Sequence, residues 1–195
     1  DSHREERRKT CLQLGMRNPE NLYLVARSCF NCHTVPQEQL VNVGGHKAGS
    51  ADFELVAWSQ GQVRHNFLRS NGATNEASPQ PRLRLMYVIG LLTDLEYSLR
   101  SLSNATESNQ FALANAIRIA RLRKKLKQVV DATEHPVLKQ AWTIATQVEL
   151  KLQNQAAMKS AADQLAALTH EFAGQETGES LAGIDSYLPT PEQYK

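Results

Sequence analysis

No apolar run in this chain approaches the roughly 18–20 residues that a bilayer crossing needs, so no membrane span is expected. Charge of one sign is missing as well. The 22 Lys and Arg residues face 20 Asp and Glu, a formal net charge of +2, and that near balance argues against a polyelectrolyte partner for nucleic acid. Cysteine is scarce. Three thiols are too few for a disulfide scaffold, and an odd number leaves at least one without an intrachain partner. Strand patterning and convincing internal repeats are absent, which points away from sheet and solenoid architectures. No signal peptide opens the sequence, which begins with the charged DSHREERRKTC. An exported chain trimmed of its leader would read the same way.

What the chain does have is helix. Glycine and proline nearly vanish from 82 to about 173, apart from Gly90 and Pro136, and apolar residues there recur with a period near 3.6. The spacing predicts a first helix over about 82–102, with Leu85, Val88, Ile89, Leu92, Leu95 and Leu99 as its apolar stripe. A second follows over about 107–132, through Phe111, Ala114, Ile117, Leu122, Leu126 and Val129. A third starts near Pro136, a residue suited to a first turn, and runs to about 172 through Leu138, Trp142, Ala145, Val148, Leu152 and Leu165. Long amphipathic helices with short connections pack antiparallel. The chain therefore reads as all-α: a small N-terminal unit over 1–77, an antiparallel bundle of about three long helices over 78–173, and an irregular tail over 174–195. The breaker-rich SNGATNEASPQP, with Gly72, Pro79 and Pro81, separates the first two.

The N-terminal unit holds every cysteine. In RNPENLYLVARSC, Asn18 is placed as a helix cap with Pro19 in the first turn, and this helix would deliver Cys29 and Cys32 at its C-terminal end. A second helix is expected over 50–70, with Leu55, Trp58, Gln62 and His65 sharing one face.

The stretch SCFNCHTVP contains Cys29-x-x-Cys32-His33. Two thiols three apart lie on one side of a helical turn, where they can add to the two vinyl groups of a haem, and the next imidazole can ligate the iron. A redox dithiol is the weaker alternative, because it belongs beside a strand–helix pattern. A zinc corner needs two further ligands, for which Cys11 and His46 are nominal candidates. Under the haem reading, Cys29 and Cys32 form the thioethers and His33 is the proximal iron ligand. His46, in the glycine-rich loop NVGGHKAGS, and His65, on the helical face beside Trp58, compete for the distal position. Met16 and Cys11 are minor candidates. Lys47 and Arg64 are natural partners for haem propionates, and Trp58 belongs to the haem surroundings.

Other residues read plainly. Cys11 is expected as a small buried hydrophobe, and Met86 and Met158 as core. The basic run RIARLRKKLKQ, Arg118 to Gln128, is a solvated helix face or a docking surface for an acidic redox partner. His135 and His170 are expected near helix termini.

The segment from Cys29 to Phe67 resembles the haem-binding segments of bacterial c-type cytochromes. It is most similar to domains of the broad multihaem cytochrome c superfamily linked to nitrogen and sulfur respiration, here with a single attachment motif. The resemblance implies one covalent haem c, a periplasmic location in a bacterium, and thioethers rather than disulfides at Cys29 and Cys32. It implies a non-enzymatic electron carrier passing one electron between periplasmic redox partners, with the bundle as a docking or homodimer surface. The competing expectation is a haem-based sensor of a small diatomic ligand that signals through the bundle. No acid–base pair beside the motif argues for reductase or peroxidase chemistry.

Overall fold

A computed structural model describes residues 2–14, 21–61 and 78–195. Among these the fold is all-α, with eight α-helices and no strand. They are α1 (Ser2–Gln13), α2 (Leu22–His33), α3 (Glu38–Asn42), α4 (Leu55–Gln60), α5 (Gln80–Ser103), α6 (Gln110–Thr133), α7 (Pro136–Gln147) and α8 (Gln155–Gln175). None of the described helices is long and apolar enough to cross a membrane.

The three long helices pack together, with α5 between α6 and α8. Leu85, Val88, Ile89, Leu92, Leu95 and Leu99 are all buried, as their spacing predicts. Met86 and Met158 are fully buried too, in the core role expected of them. In α6 Phe111, Leu122, Leu126 and Val129 are buried as their spacing predicts, but Ile117 is exposed and Ile119 is buried instead. The expected third helix is two. The backbone leaves helical geometry at Val148 (φ −93°, ψ 125°), and α8 starts only at Gln155. No glycine or proline marks the break. It is held instead by tertiary and local bonds, with Arg123 Nη2 donating to the Val148 carbonyl at 2.8 Å and Asn154 Nδ2 to that of Glu149 at 2.9 Å. The corner lets α7 lie on α6 while α8 lies on α5.

The tail is ordered as short 3₁₀ helices, Glu179–Tyr187 and Pro191–Gln193, with Leu181 and Ile184 fully buried against the bundle. Arg84 fixes it through a two-pronged pair with Asp185, at 2.6 and 2.7 Å.

In the N-terminal part, α2 starts later than the Asn18 cap would place it; Asn18 itself lies outside the described residues. The cap is Asn21, whose Oδ1 accepts from the backbone of Tyr23 and Leu24. The helix expected over 50–70 is confined, as far as described, to α4. Residues 50–54 are non-helical because the Glu54 carboxylate caps α4 from Val56 and Ala57, and Gly61 is extended. Residues 62–70, including Arg64 and His65, lie outside the described residues. Both α2 and α4 dock on α5 and contribute Leu22, Ala26, Phe30 and Leu55 to the same apolar cluster as the long helices. Gly90 is what lets α4 approach: a Cβ there would sit 2.8 Å from that of Leu55.

Candidate haem attachment site

Cys29, Cys32 and His33 occupy the last turn of α2. Cys29 is half-buried, with its thiol 3.5 Å from the Val25 carbonyl oxygen, and Cys32 is exposed. None of the three cysteines is in a disulfide. The helix stops abruptly after His33. Thr34 is buried with its hydroxyl donating to the Phe30 carbonyl at 2.6 Å, and Val35 takes a positive φ of 49°. A β-branched residue in the left-handed region is strained, a conformation that recurs where neighbouring structure over-determines the chain. Pro36 follows, so the chain cannot resume the helix there.

The His33 ring stacks on Phe53 with centroids 3.9 Å apart and planes 10° apart, and Trp58 meets it edge-on at 5.4 Å. Phe53 in turn receives Phe30 at 5.0 Å, nearly perpendicular. Stacking engages the flat face of an imidazole and leaves its nitrogen-bearing edge directed in the ring plane, so the aromatic group orients His33 without occupying the atoms that bind metal. Trp58 is itself held by its indole N–H, which donates to the Asp52 carbonyl at 3.2 Å.

The segment between α3 and α4 folds back onto the motif. Gly49, at φ +77°, turns the chain so that the Ser50 N–H donates to the His33 carbonyl at 2.8 Å. The Ser50 carbonyl accepts from Arg118 Nη1 at 2.9 Å, and the other face of that guanidinium forks onto Asp94 at 2.6 and 2.9 Å. Both members of this ion pair are buried. Burial pushes the Asp94 carboxyl up and the guanidinium opposes that shift.

Phe30 and Phe53 also wall a cavity of about 30 Å³, shared with Glu54, Tyr87, Asp94 and Lys125. That volume suits a single water and not a porphyrin. Burial raises the Glu54 carboxyl, against its two backbone N–H bonds, and pushes the Tyr87 phenol up to about 12. Among the described residues no three His, Cys, Asp or Glu side chains converge as a metal-binding group, so Cys11 and His46 do not complete a zinc corner.

Of the residues singled out from sequence, Trp58 is brought against His33. His46 and Lys47 are exposed on the returning loop, with His46 Nδ1 2.9 Å from the Lys47 carbonyl oxygen. His65, Arg64 and Met16 lie outside the described residues. Cys11 is half-buried on α1. His135 caps α7, its Nδ1 accepting from Val137, and His170 sits near the end of α8 against Tyr23. The basic run is divided, because Arg118 and Arg123 turn inward while Arg121, Lys124, Lys125 and Lys127 stay exposed. Phe53, Ser50 and Asp94 were not marked by any local pattern; a phenylalanine twenty residues after His33 carries no spacing signal.

The donor set fits a covalently held haem. Two thiols one helical turn apart, one of them exposed, lie next to an imidazole whose ring is already fixed, and a group bound there would rest at the surface end of α2 rather than in the core. No protein-family model, no curated protein and no solved structure matches this chain.

Proposed function

We propose that the chain is a monohaem c-type cytochrome, resembling a single-haem member of the multihaem superfamily, that passes one electron between periplasmic redox partners and is not an enzyme. The observation that carries the reading is the joint placement of Cys29, Cys32 and His33 on one terminal helical turn, with His33 stacked on Phe53. In this reading a small N-terminal haem unit precedes an antiparallel bundle that serves as the docking or homodimer platform.

When bound, the haem supplies a one-electron iron couple. The chain does the rest. Cys29 and Cys32 hold the group by thioether bonds, and His33 offers a ring nitrogen to the metal while Phe53 and Trp58 prevent the ring from turning. The aromatic walls exclude water from one side of the ligand, which favours a stable coordination state over exchange. His46 or His65 would supply a second imidazole to the iron, and Lys47 and Arg64 would neutralise the propionates.

The test is a spectrum of the chain produced in a bacterium that matures c-type haem. The haem is expected to survive denaturing electrophoresis and to be lost in the Cys29→Ser/Cys32→Ser double variant. A reduced spectrum unchanged by carbon monoxide supports electron transfer, and a prompt carbonyl shift would replace that role by diatomic binding. A colourless, zinc-containing protein would overturn the haem reading. Alanine at His46 and at His65, in separate variants, identifies the distal ligand: the variant that keeps its low-spin spectrum clears that residue.

A further inference from the structure

We infer that Arg118 is the positioning residue of the haem ligand His33, acting from the bundle through Ser50; the inference rests on the haem reading above. The geometry is a relay of directed bonds. Asp94 on α5 fixes two N–H groups of the guanidinium, at 2.6 and 2.9 Å. A third, on Nη1, donates to the Ser50 carbonyl at 2.9 Å, and the Ser50 N–H donates to the His33 carbonyl at 2.8 Å. The last link in the chain is therefore the backbone of the ligand residue itself.

Gly49 is the joint. A Cβ built on it would lie 2.9 Å from Arg118 Nη1, 3.1 Å from the Thr34 carbonyl oxygen and 3.3 Å from that of His33. Guanidinium, loop and ligand backbone thus close on one point with no room for a side chain. Glycine is also the residue that takes its φ of +77° without strain.

The ion pair itself argues for a role beyond stability. Asp94 and Arg118 are each only 7% exposed, and a buried pair seldom outperforms an apolar pair of similar volume. An apolar pair could join α5 to α6 equally well. It could not present an N–H to the loop that holds His33, and only the planar fork of arginine serves Asp94 and Ser50 together. Lysine, with one compact ammonium, keeps the charge beside Asp94 and gives up the forked geometry.

Arg118→Lys is therefore the first variant, with Arg118→Met beside it, both in the full haem-loaded chain. Two readouts are taken: exchange of the Ser50 amide against α5 amides such as that of Leu92, and the midpoint potential with the reduced spectrum. Arg118→Lys is expected to melt near the wild type, to lose about tenfold or more of Ser50 protection while α5 is little changed, and to shift the potential. Arg118→Met should show the same local loss together with a lower melting temperature. Where either arginine variant folds poorly, Gly49→Ala disturbs the joint from outside the core and should shift the potential with the Asp94 pair intact. Unchanged Ser50 protection in Arg118→Lys, or a released Ser50 with an unaltered potential and spectrum, overturns the inference. Absence of covalent haem in the wild type is seen before any variant is made; it overturns the functional reading and this inference with it, whereas a failed relay leaves the haem reading standing.

Discussion

Helix α5 is buried along nearly its whole length, from Leu83 to Ser103, whereas α2, half as long, buries four residues and ends on His33 beside the exposed Cys32. The first is stable because it is surrounded: α2, α4, α6, α8 and the 3₁₀ helix of the tail all lie on it. Apart from the Ser101 hydroxyl, its buried Thr93, Asp94, Glu96, Ser98 and Ser103 side chains are hydrogen-bonded internally. Glu96, with no exposed surface, accepts from Tyr23 at 2.9 Å and from Arg100 at 2.8 Å. The second packs only its inner face, through Leu22, Tyr23, Ala26 and Phe30, and its ends are held by specific devices: the Asn21 cap, the Phe53 stack on His33 and the Ser50 bond to its carbonyl. Under the proposed haem reading, the attachment turn needs this arrangement. A thiol sunk in a core like that around α5 could not meet a haem, and one on an unsupported turn would present its neighbouring ligand in many orientations.

The largest effect should come from the core side of the comparison. Leu92→Ala, at a position with no exposed surface, is expected to lower stability by about 4 kcal/mol in urea unfolding, through lost transfer energy and the cavity left behind. Its effect on the His33 environment should be small until the protein unfolds. Phe53→Ala tests the other side. A loss of about 3 kcal/mol is expected, and the His33 ring protons should move downfield by NMR as the stacked aromatic ring is removed. If the His33 signals stay where they are, the stack does not set its orientation.

Asn21→Ala removes the α2 cap and should cost about 1 kcal/mol, seen as faster amide exchange at Tyr23 and Leu24 with α5 unaffected. The smallest effect is absent at neutral pH. Tyr87 ionises at about 12 in the folded chain against 10.0 for an unperturbed phenol, first because it is buried and then because Glu54 is near. The raised value favours the protonated form in the fold, so the stabilisation is complete below pH 10 and is lost as pH rises from 10 through 12. Tyr87→Phe should flatten the fall of stability in that window, and phenolate absorbance in the wild type should report the late titration.

The helical periodicity of 82–173 was legible because burial on one side repeats every 3.6 residues, and Leu85 to Leu99 lie where that rule puts them. The corner at Val148 was not, since no breaker residue encodes it; the Arg123 bond to its carbonyl comes from a different helix. Arg118 sat in a basic run and read as solvated surface. Its partner Asp94 is 24 positions away, and the one local signal was its place on the buried stripe, seven after Phe111 and four before Leu122, which Arg121 does not share. Trp58 was placed on a helix expected over 50–70; it does lie on a helix, α4, but residues 50–54 before it are non-helical, and from α4 it reaches His33.

The order of residues alone determined the chemistry on offer, because Cys29-x-x-Cys32-His33 places two thiols and an imidazole together on any helix that contains them. It also determined that the chain is helical, through periodicity and the scarcity of breakers. Only the tertiary structure decided what faces the imidazole and what lies beneath it. Ser50 and Phe53 come from the connection between α3 and α4, Asp94 from α5 and Arg118 from α6, and contacts of such sequence separation arise from packing that no local pattern records.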